Sequence, residues 1–309
     1  MTPSALLRLL GRHARWMLPA GVCIGLVLPW LAQAMRSWVT PAVIGLMTAA
    51  LLRLDWTQLK QTLAKPALPL RIAAWQLVAS PIAVWVLART GLIPEAYTVL
   101  TVLQAASAPI GSAAAFALFL GIPGHLCMAA TVVMTLLLPL SLTAVVTLLL
   151  PSFGVQVELA SFFARVVLSA LAPFAIAALV RRLLGDAKLR AIDGELAGVN
   201  VVLMVLFGIA VMNGVTAAFI ERPGFILGLV AWSWLAAALW HAAGFALLRG
   251  MGSNEAMSAS LMLGNRNLGL TLVATAGTAG DAFQMYTGLA QIPLFCAPLL
   301  LSQFRRPAS

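Results

Sequence analysis

Charge is what this sequence has least of. Asp, Glu, Lys and Arg make up 9% of its 309 residues, against 62% hydrophobic residues, and its mean hydropathy is +1.00. A soluble domain is about a quarter charged, so a water-soluble fold is excluded and an all-α polytopic membrane protein is expected. There are nine acidic residues, and no two of them stand at one depth of an apolar run, which removes paired carboxylates as a basis for chemistry inside a bilayer. Three cysteines, Cys23, Cys127 and Cys296, lie in or beside apolar runs with no CxxC spacing and no His neighbour, so neither a disulfide framework nor a metal site is expected. HExxH and GxSxG are missing as well. An enzyme is not expected, and no cofactor is implied.

The positive balance of +10 does not point to nucleic acid, because the basic residues are scattered between apolar runs and form no stripe with aromatics. They read as a topology signal. Ten apolar segments follow one another at about 16–34, 39–53, 68–89, 96–121, 124–149, 157–180, 195–214, 224–248, 255–277 and 282–303. Most are near 20 residues, the length a helix needs to cross about 30 Å of hydrocarbon. With the amino terminus inside, fourteen of the nineteen Lys and Arg fall on the cytoplasmic side, among them Arg8, Arg53, Arg181, Arg305 and Arg306. Only Arg36, Arg89 and Arg222 fall outside. The positive-inside rule therefore gives ten spans in the cell's inner (plasma) membrane with both termini cytoplasmic. Ala-Gln-Ala at 32–34, after a basic stretch and an apolar run, also fits a signal-peptide cleavage site; a retained first span is the favoured reading.

Two charges remain inside spans. Arg165 lies about two turns from the outer end of its segment and is expected to snorkel. Arg266 has no such escape, because Ser260–Gly277 places it about a dozen residues from either end of its run, near the bilayer midplane. A charge there is costly, by estimates from about 3 to above 10 kcal/mol, and usually faces a cavity, a partner or a ligand. Its neighbours Gly264, Asn265, Asn267 and Gly269 are poor helix formers that tolerate left-handed backbone angles, so the helix is expected to break there.

The chain divides at Pro151–Val157 into residues 1–150 and 151–309, each with five segments. An odd number of spans per half makes equivalent halves cross in opposite senses, the pattern of an inverted repeat. The fourth segment of each half should then be interrupted, and Ser107-Ala108-Pro109-Ile110-Gly111-Ser112 matches the break at Arg266. Two broken helices crossing at mid-depth would aim helix ends of both polarities at one small volume suited to a small charged solute. Elsewhere, Gly21 and Gly25 form a small-xxx-small pattern and read as close helix packing. His241 is a packed histidine or, less simply, a proton relay. His125 reads as structural. Met204, Phe207 and Met212 read as packing or lipid-facing residues.

Three stretches carry a resemblance that covers nearly the full chain. Ala108–Gly121 reads APIGSAAAFALFLG, Thr131–Leu140 reads TVVMTLLLPL and Met262–Thr271 reads MLGNRNLGLT. In this order they resemble the bile acid:sodium symporter superfamily, whose corresponding patterns are like CPGGTASN, MTTxSTLLxPL and EVGMQNSGLA. The resemblance implies a panel domain from spans 1, 2, 6 and 7, and a core domain from spans 3–5 and 8–10 with crossed, discontinuous helices 4 and 9. It implies alternating-access transport of a small organic anion, a carboxylate or sulfonate, with the lipid bilayer as surroundings and no nucleic acid or obligate protein partner.

Carried over residue by residue, the family's sodium ligands are mostly lost. The crossover Glu falls on Met262, the adjacent Gln on Arg266, and the Ser-Asn pair on Ala114 and Ala115. Gln76 and Thr135 keep their polar groups. Sodium coupling is therefore expected to be lost, with the Arg266 guanidinium standing where relatives carry an exchangeable cation. Substrate contacts carried over are Ser112 and Asn267, with Arg266, Asn265, Gly111 and Gly264 around them. Sodium-coupled symport and a transporter fold kept as a sensor or scaffold are the alternatives.

Overall fold

A computed structural model of the chain describes residues 2–12 and 14–303. Arg305 and Arg306, counted above with the cytoplasmic basic residues, lie outside the described residues. Every element among the described residues is helical, and the one extended feature is an isolated backbone bridge between Pro109 and Arg266. In chain order the helices are α1 (Pro3–Arg12), α2 (Ala14–Val27), α3 (Pro29–Leu52), α4 (Trp56–Leu63), α5 (Ala67–Arg89), α6 (Glu95–Ala106) and α7 (Ala113–Phe119). They continue as α8 (His125–Leu148), α9 (Leu159–Ala191), α10 (Asp193–Glu221), α11 (Pro223–Leu248), α12 (Ser253–Gly264), α13 (Leu268–Ala274) and α14 (Gly280–Ser302). Among the described residues, seven of these, α3, α5, α8, α9, α10, α11 and α14, are long and apolar enough to cross a membrane. The architecture is that of a membrane-embedded protein.

Local chemistry explains the boundaries. Asp55 accepts hydrogen bonds from the Thr57 and Gln58 amides and starts α4, and Glu158 does the same for α9 through Ala160 and Ser161, each satisfying donors that a first turn leaves free. The expected first segment, 16–34, is in fact two helices. Leu28 has a non-helical backbone (φ −117°, ψ 72°) and Pro29 begins the next helix, as a residue without an N–H is free to do. In α5 the Ser80 amide reaches the Trp75 carbonyl, one residue beyond α-helical spacing. Pro81 follows directly, and its ring and missing donor disfavour the regular turn there.

Close packing then sets the frame. A Cβ on Gly21 would stand 2.8 Å from the Val205 carbonyl oxygen, and one on Gly25 2.8 Å from that of Ile209, so the small-xxx-small pattern does seat α2 against α10. Ion pairs gather at one end of α10, where Arg8 meets Glu195 and Arg53 meets Asp193, each at 2.7 Å. Both carboxylates occupy that helix's first turn, the favourable end of its dipole. The four helices α6, α7, α12 and α13 are too short to cross alone. They meet end to end in pairs, with α5 against α6, α8 against α6, α7 and α12, α11 against α12, and α3, α9 and α14 against α13.

Candidate functional site

The site begins with two interruptions. Helix α6 ends at Ala106 and α7 begins at Ala113; α12 ends at Gly264 and α13 begins at Leu268. Both breaks fall where the glycines, asparagines and proline of the sequence put them, but not by the expected conformation. No residue in either break has a positive φ. Ser107 (φ −74°, ψ 142°), Asn265 (φ −105°, ψ 82°) and Asn267 (φ −81°, ψ 71°) open the helices with φ still negative. Glycine is needed here for room instead. The His241 ring lies against the Cα of Gly264 where a Cβ would stand, and a Cβ on Gly269 would come 3.1 Å from both Phe207 and Val43.

Backbone freed by the breaks is used across the junction. The Ile110 amide donates to the Asn265 carbonyl at 2.8 Å and the Asn267 amide to the Ala108 carbonyl at 2.7 Å. Pro109 and Arg266 sit opposite each other between these two bonds, in the position of an antiparallel pair that needs no cross-strand N–H. Proline is therefore compatible with a junction whose backbone donors are Ile110 and Asn267.

Arg266 satisfies the carbonyls that remain. Its side chain is enclosed, with 2% of the residue exposed. Nε donates to the Leu263 carbonyl at 2.6 Å in the last turn of α12. Nη1 donates to Ala105 O at 2.8 Å and Ser107 O at 3.2 Å at the end of α6, and Nη2 reaches Ser80 Oγ at 3.5 Å. The guanidinium carbon lies 4.5 Å from the Trp240 ring centroid, a cation–π distance. Thus one cation meets the carbonyl-rich, partly negative ends of two helices at once. No acidic side chain among the described residues bonds to it: the ion pairs join Glu195 to Arg8, Asp193 to Arg53 and Asp186 to Arg181.

A second layer fixes this arrangement. Ser80 Oγ donates toward Gln76 O at 2.9 Å and Ala105 O at 2.8 Å. Gln76 Nε2 donates to Ser107 O at 3.1 Å. Ser107 and Thr271 hydroxyls meet at 2.6 Å, and the Tyr286 hydroxyl donates to Gln104 Oε1 at 2.7 Å. His241 is packed, its Nδ1 3.2 Å from Ser260 Oγ. Beside the guanidinium, Gln104, Ser233, Gly264 and Leu294 border a cavity of about 10 Å³, room for no more than a single water. A larger open cavity of about 810 Å³ lies between one face of α4 and the first turns of α8 and α12; Arg266 and Asn267 are not among its walls.

The expected site residues divide into three groups. Arg266, Asn265 and Gly264 are buried inside the junction, Asn265 spending its Nδ2 on Leu261 O. Asn267 and Ser112 are half-buried and Gly111 is exposed. Asn267 Oδ1 caps α13 through the Leu270 amide, whereas Ser112 Oγ has no partner. Of the positions matched to ion ligands, Gln76 joins Arg266 on the Ser107 carbonyl. Thr135 bonds only within its own helix, to Thr131 O, and Ala114, Ala115 and Met262 offer no polar side-chain atom. Arg165 is exposed and donates to the Ala276 carbonyl beyond α13. Phe207 and Met212 are buried packing residues. Reading the sequence missed Ser80, Trp240 and Thr271, and placed Ser107 in the break without its role as an acceptor for Arg266. Ser80, a hydroxyl four residues after Gln76 in an apolar run, was the visible clue. Compared with known proteins, the chain matches no protein-family model and no curated protein.

Proposed function

We propose that this chain is a secondary transporter of a small organic anion, working by alternating access without sodium, and a divergent relative of the bile acid:sodium symporters. In this reading the seven long helices, the two broken pairs α6–α7 and α12–α13, and α2 make ten spans. Residues 1–150 and 151–309 are inverted five-helix repeats, arranged as a panel and a core. The protein lies in the plasma membrane with both termini cytoplasmic.

One observation carries the proposal: Arg266 joins the carbonyl ends of both interrupted helices, the work of a bound cation done by a side chain that cannot leave. An anion would sit at Ser112, Gly111 and Asn267, where an enclosed hydroxyl has no partner and an amide nitrogen is free to donate. Arg266, with Asn265 and Gly264, would act from behind as a fixed positive charge. Proteoliposomes test this with labelled lactate, benzoate and isethionate. Flux unchanged when K⁺ replaces Na⁺ is the expected result, and strict Na⁺ dependence refutes it. Absence of flux for the whole panel favours a sensor or scaffold.

A sodium-coupled reading has one observation in its favour. Gln76 Oε1 and Asn265 Oδ1 are fully buried acceptors with no donor, and such oxygens suit a cation. Thermal unfolding in detergent with NaCl or KCl separates the readings: a Na⁺-specific rise in Tm supports the coupled form.

A further inference from the structure

We infer that this carrier exchanges singly charged anions one for one, instead of moving them in one direction; the inference rests on the transporter reading above. The argument concerns net charge at the junction. Leu263, Ala105 and Ser107 give Arg266 hydrogen-bond acceptors, but carbonyl dipoles cancel no formal charge. All nine acidic residues lie away from it, at helix ends and connections, and the ion pairs of the described residues use none of them on Arg266. Arg165 donates to Ala276 O beyond α13 but is exposed, so its charge is not enclosed with the junction.

A metal cation could enter and leave with its substrate. A guanidinium is covalently fixed and stays protonated, so the charge is present in the loaded and the empty carrier alike. Each half-cycle must close protein and lipid around the site, and a net charge is far harder to enclose than a neutral pair. Asn267 is the residue next to Arg266, and Ser112 stands three positions after Pro109, its partner across the bridge. One negative charge held there neutralises the junction. The empty site is left at +1, and a dianion would leave it at −1. The monoanion-loaded form is therefore the one that crosses readily, and the empty form returns slowly.

The test uses the full chain in proteoliposomes with labelled lactate and isethionate as monoanions and succinate as a dianion. Lactate or isethionate uptake should run roughly tenfold or more faster into vesicles loaded with the same unlabelled anion than into buffer-filled ones, and should not respond to a valinomycin-set potential. Net uptake into empty vesicles should respond, up to about 50-fold per 100 mV if a whole charge crossed the field. Succinate should be carried least. Zero-trans uptake as fast as exchange overturns the inference while leaving the transporter intact. No flux of any probe, loaded or not, overturns the transporter reading and this with it. Arg266→Gln leaves the empty site neutral and the monoanion-loaded site at −1, so exchange should fall to the level of net uptake and begin to respond to the potential, whereas Arg266→Lys should keep the coupling. If Arg266→Gln does not fold, the comparison of net uptake with exchange at two potentials in the unmodified chain decides alone.

Discussion

The two helix interruptions answer one need with opposite means. The break at 107–112 is long, includes a proline, carries no charge and leaves Gly111 exposed and the Ser112 hydroxyl without a partner. Beyond the two backbone bonds it exchanges with the other break, this end of the junction offers Arg266 acceptors, the carbonyls of Ala105 and Ser107. The break at 265–267 is three residues long, largely sealed, and supplies the side-chain donors through Arg266. Neither is self-sufficient, because each leaves unmatched what the other completes. The comparison separates a side that holds the junction together from a side left free for a ligand, and substitutions on the two sides should differ accordingly.

The largest effect belongs to the donor side. Arg266→Ala leaves three buried carbonyls with fewer or no donors and should cost about 3–5 kcal/mol, the usual penalty for breaking a buried charged network. A large drop in Tm in detergent, read by tryptophan fluorescence, checks it. Pro109→Ala on the acceptor side should change Tm little, because its position in the bridge asks for no N–H. Equal losses in the two variants would dissolve the distinction.

Next come the glycines. Gly264→Ala drives a methyl group into the His241 ring and should cost about 1–3 kcal/mol, the range for overpacking a core. Gly111→Ala meets only the Ala50 methyl, at 3.3 Å, and should be milder by thermal unfolding. Among the polar pairs, Asn267→Ala removes the cap of α13 and should cost about 1 kcal/mol. Ser112→Ala removes a hydroxyl with no partner and should leave Tm unchanged while lowering anion flux. A destabilised Ser112→Ala would mean that this hydroxyl serves the fold.

The smallest effect contrasts two caps. That of Asn267 is neutral and indifferent to pH. Hydrogen bonds from Ser161 and Ala160 hold the Glu158 carboxyl below its ordinary range. A depressed folded value means that its contribution is complete above the unfolded pKa of about 4.3 and is lost as pH falls through the lower folded value. In Glu158→Gln the slight loss of Tm between pH 5 and the acid limit should disappear, whereas Asn267→Ala should keep the unmodified chain's pH slope.

The positions of the breaks were legible because Gly, Pro and Asn are scarce inside apolar helices and act locally. Their conformation was not, since the same residues serve left-handed turns and close approaches alike, and only the neighbours decide: His241 against Gly264, Phe207 and Val43 against Gly269. That Arg266 would have no carboxylate beside it followed from the absence of acidic residues in the span cores; that its partners would be backbone carbonyls did not. Which carbonyls, and that Ser80 and Trp240 would complete the shell, depended on partners 186 and 26 positions away in the chain. Segment 16–34 was misjudged because hydropathy does not register a proline without a donor. That Arg165 would find the Ala276 carbonyl could not be read from its own segment, because that carbonyl lies in the connection after α13.

The bonds from Ile110 to Asn265 and from Asn267 to Ala108 run between main-chain atoms that every residue type except proline possesses. Drift in composition can erase every recognisable motif around them without uncoupling the amino-terminal and carboxy-terminal halves of the polypeptide. A change in length cannot be absorbed so easily, since one inserted or deleted residue on either side slips the register. The spacing of these few residues, more than their identity, is then what divergent descendants of this chain must preserve.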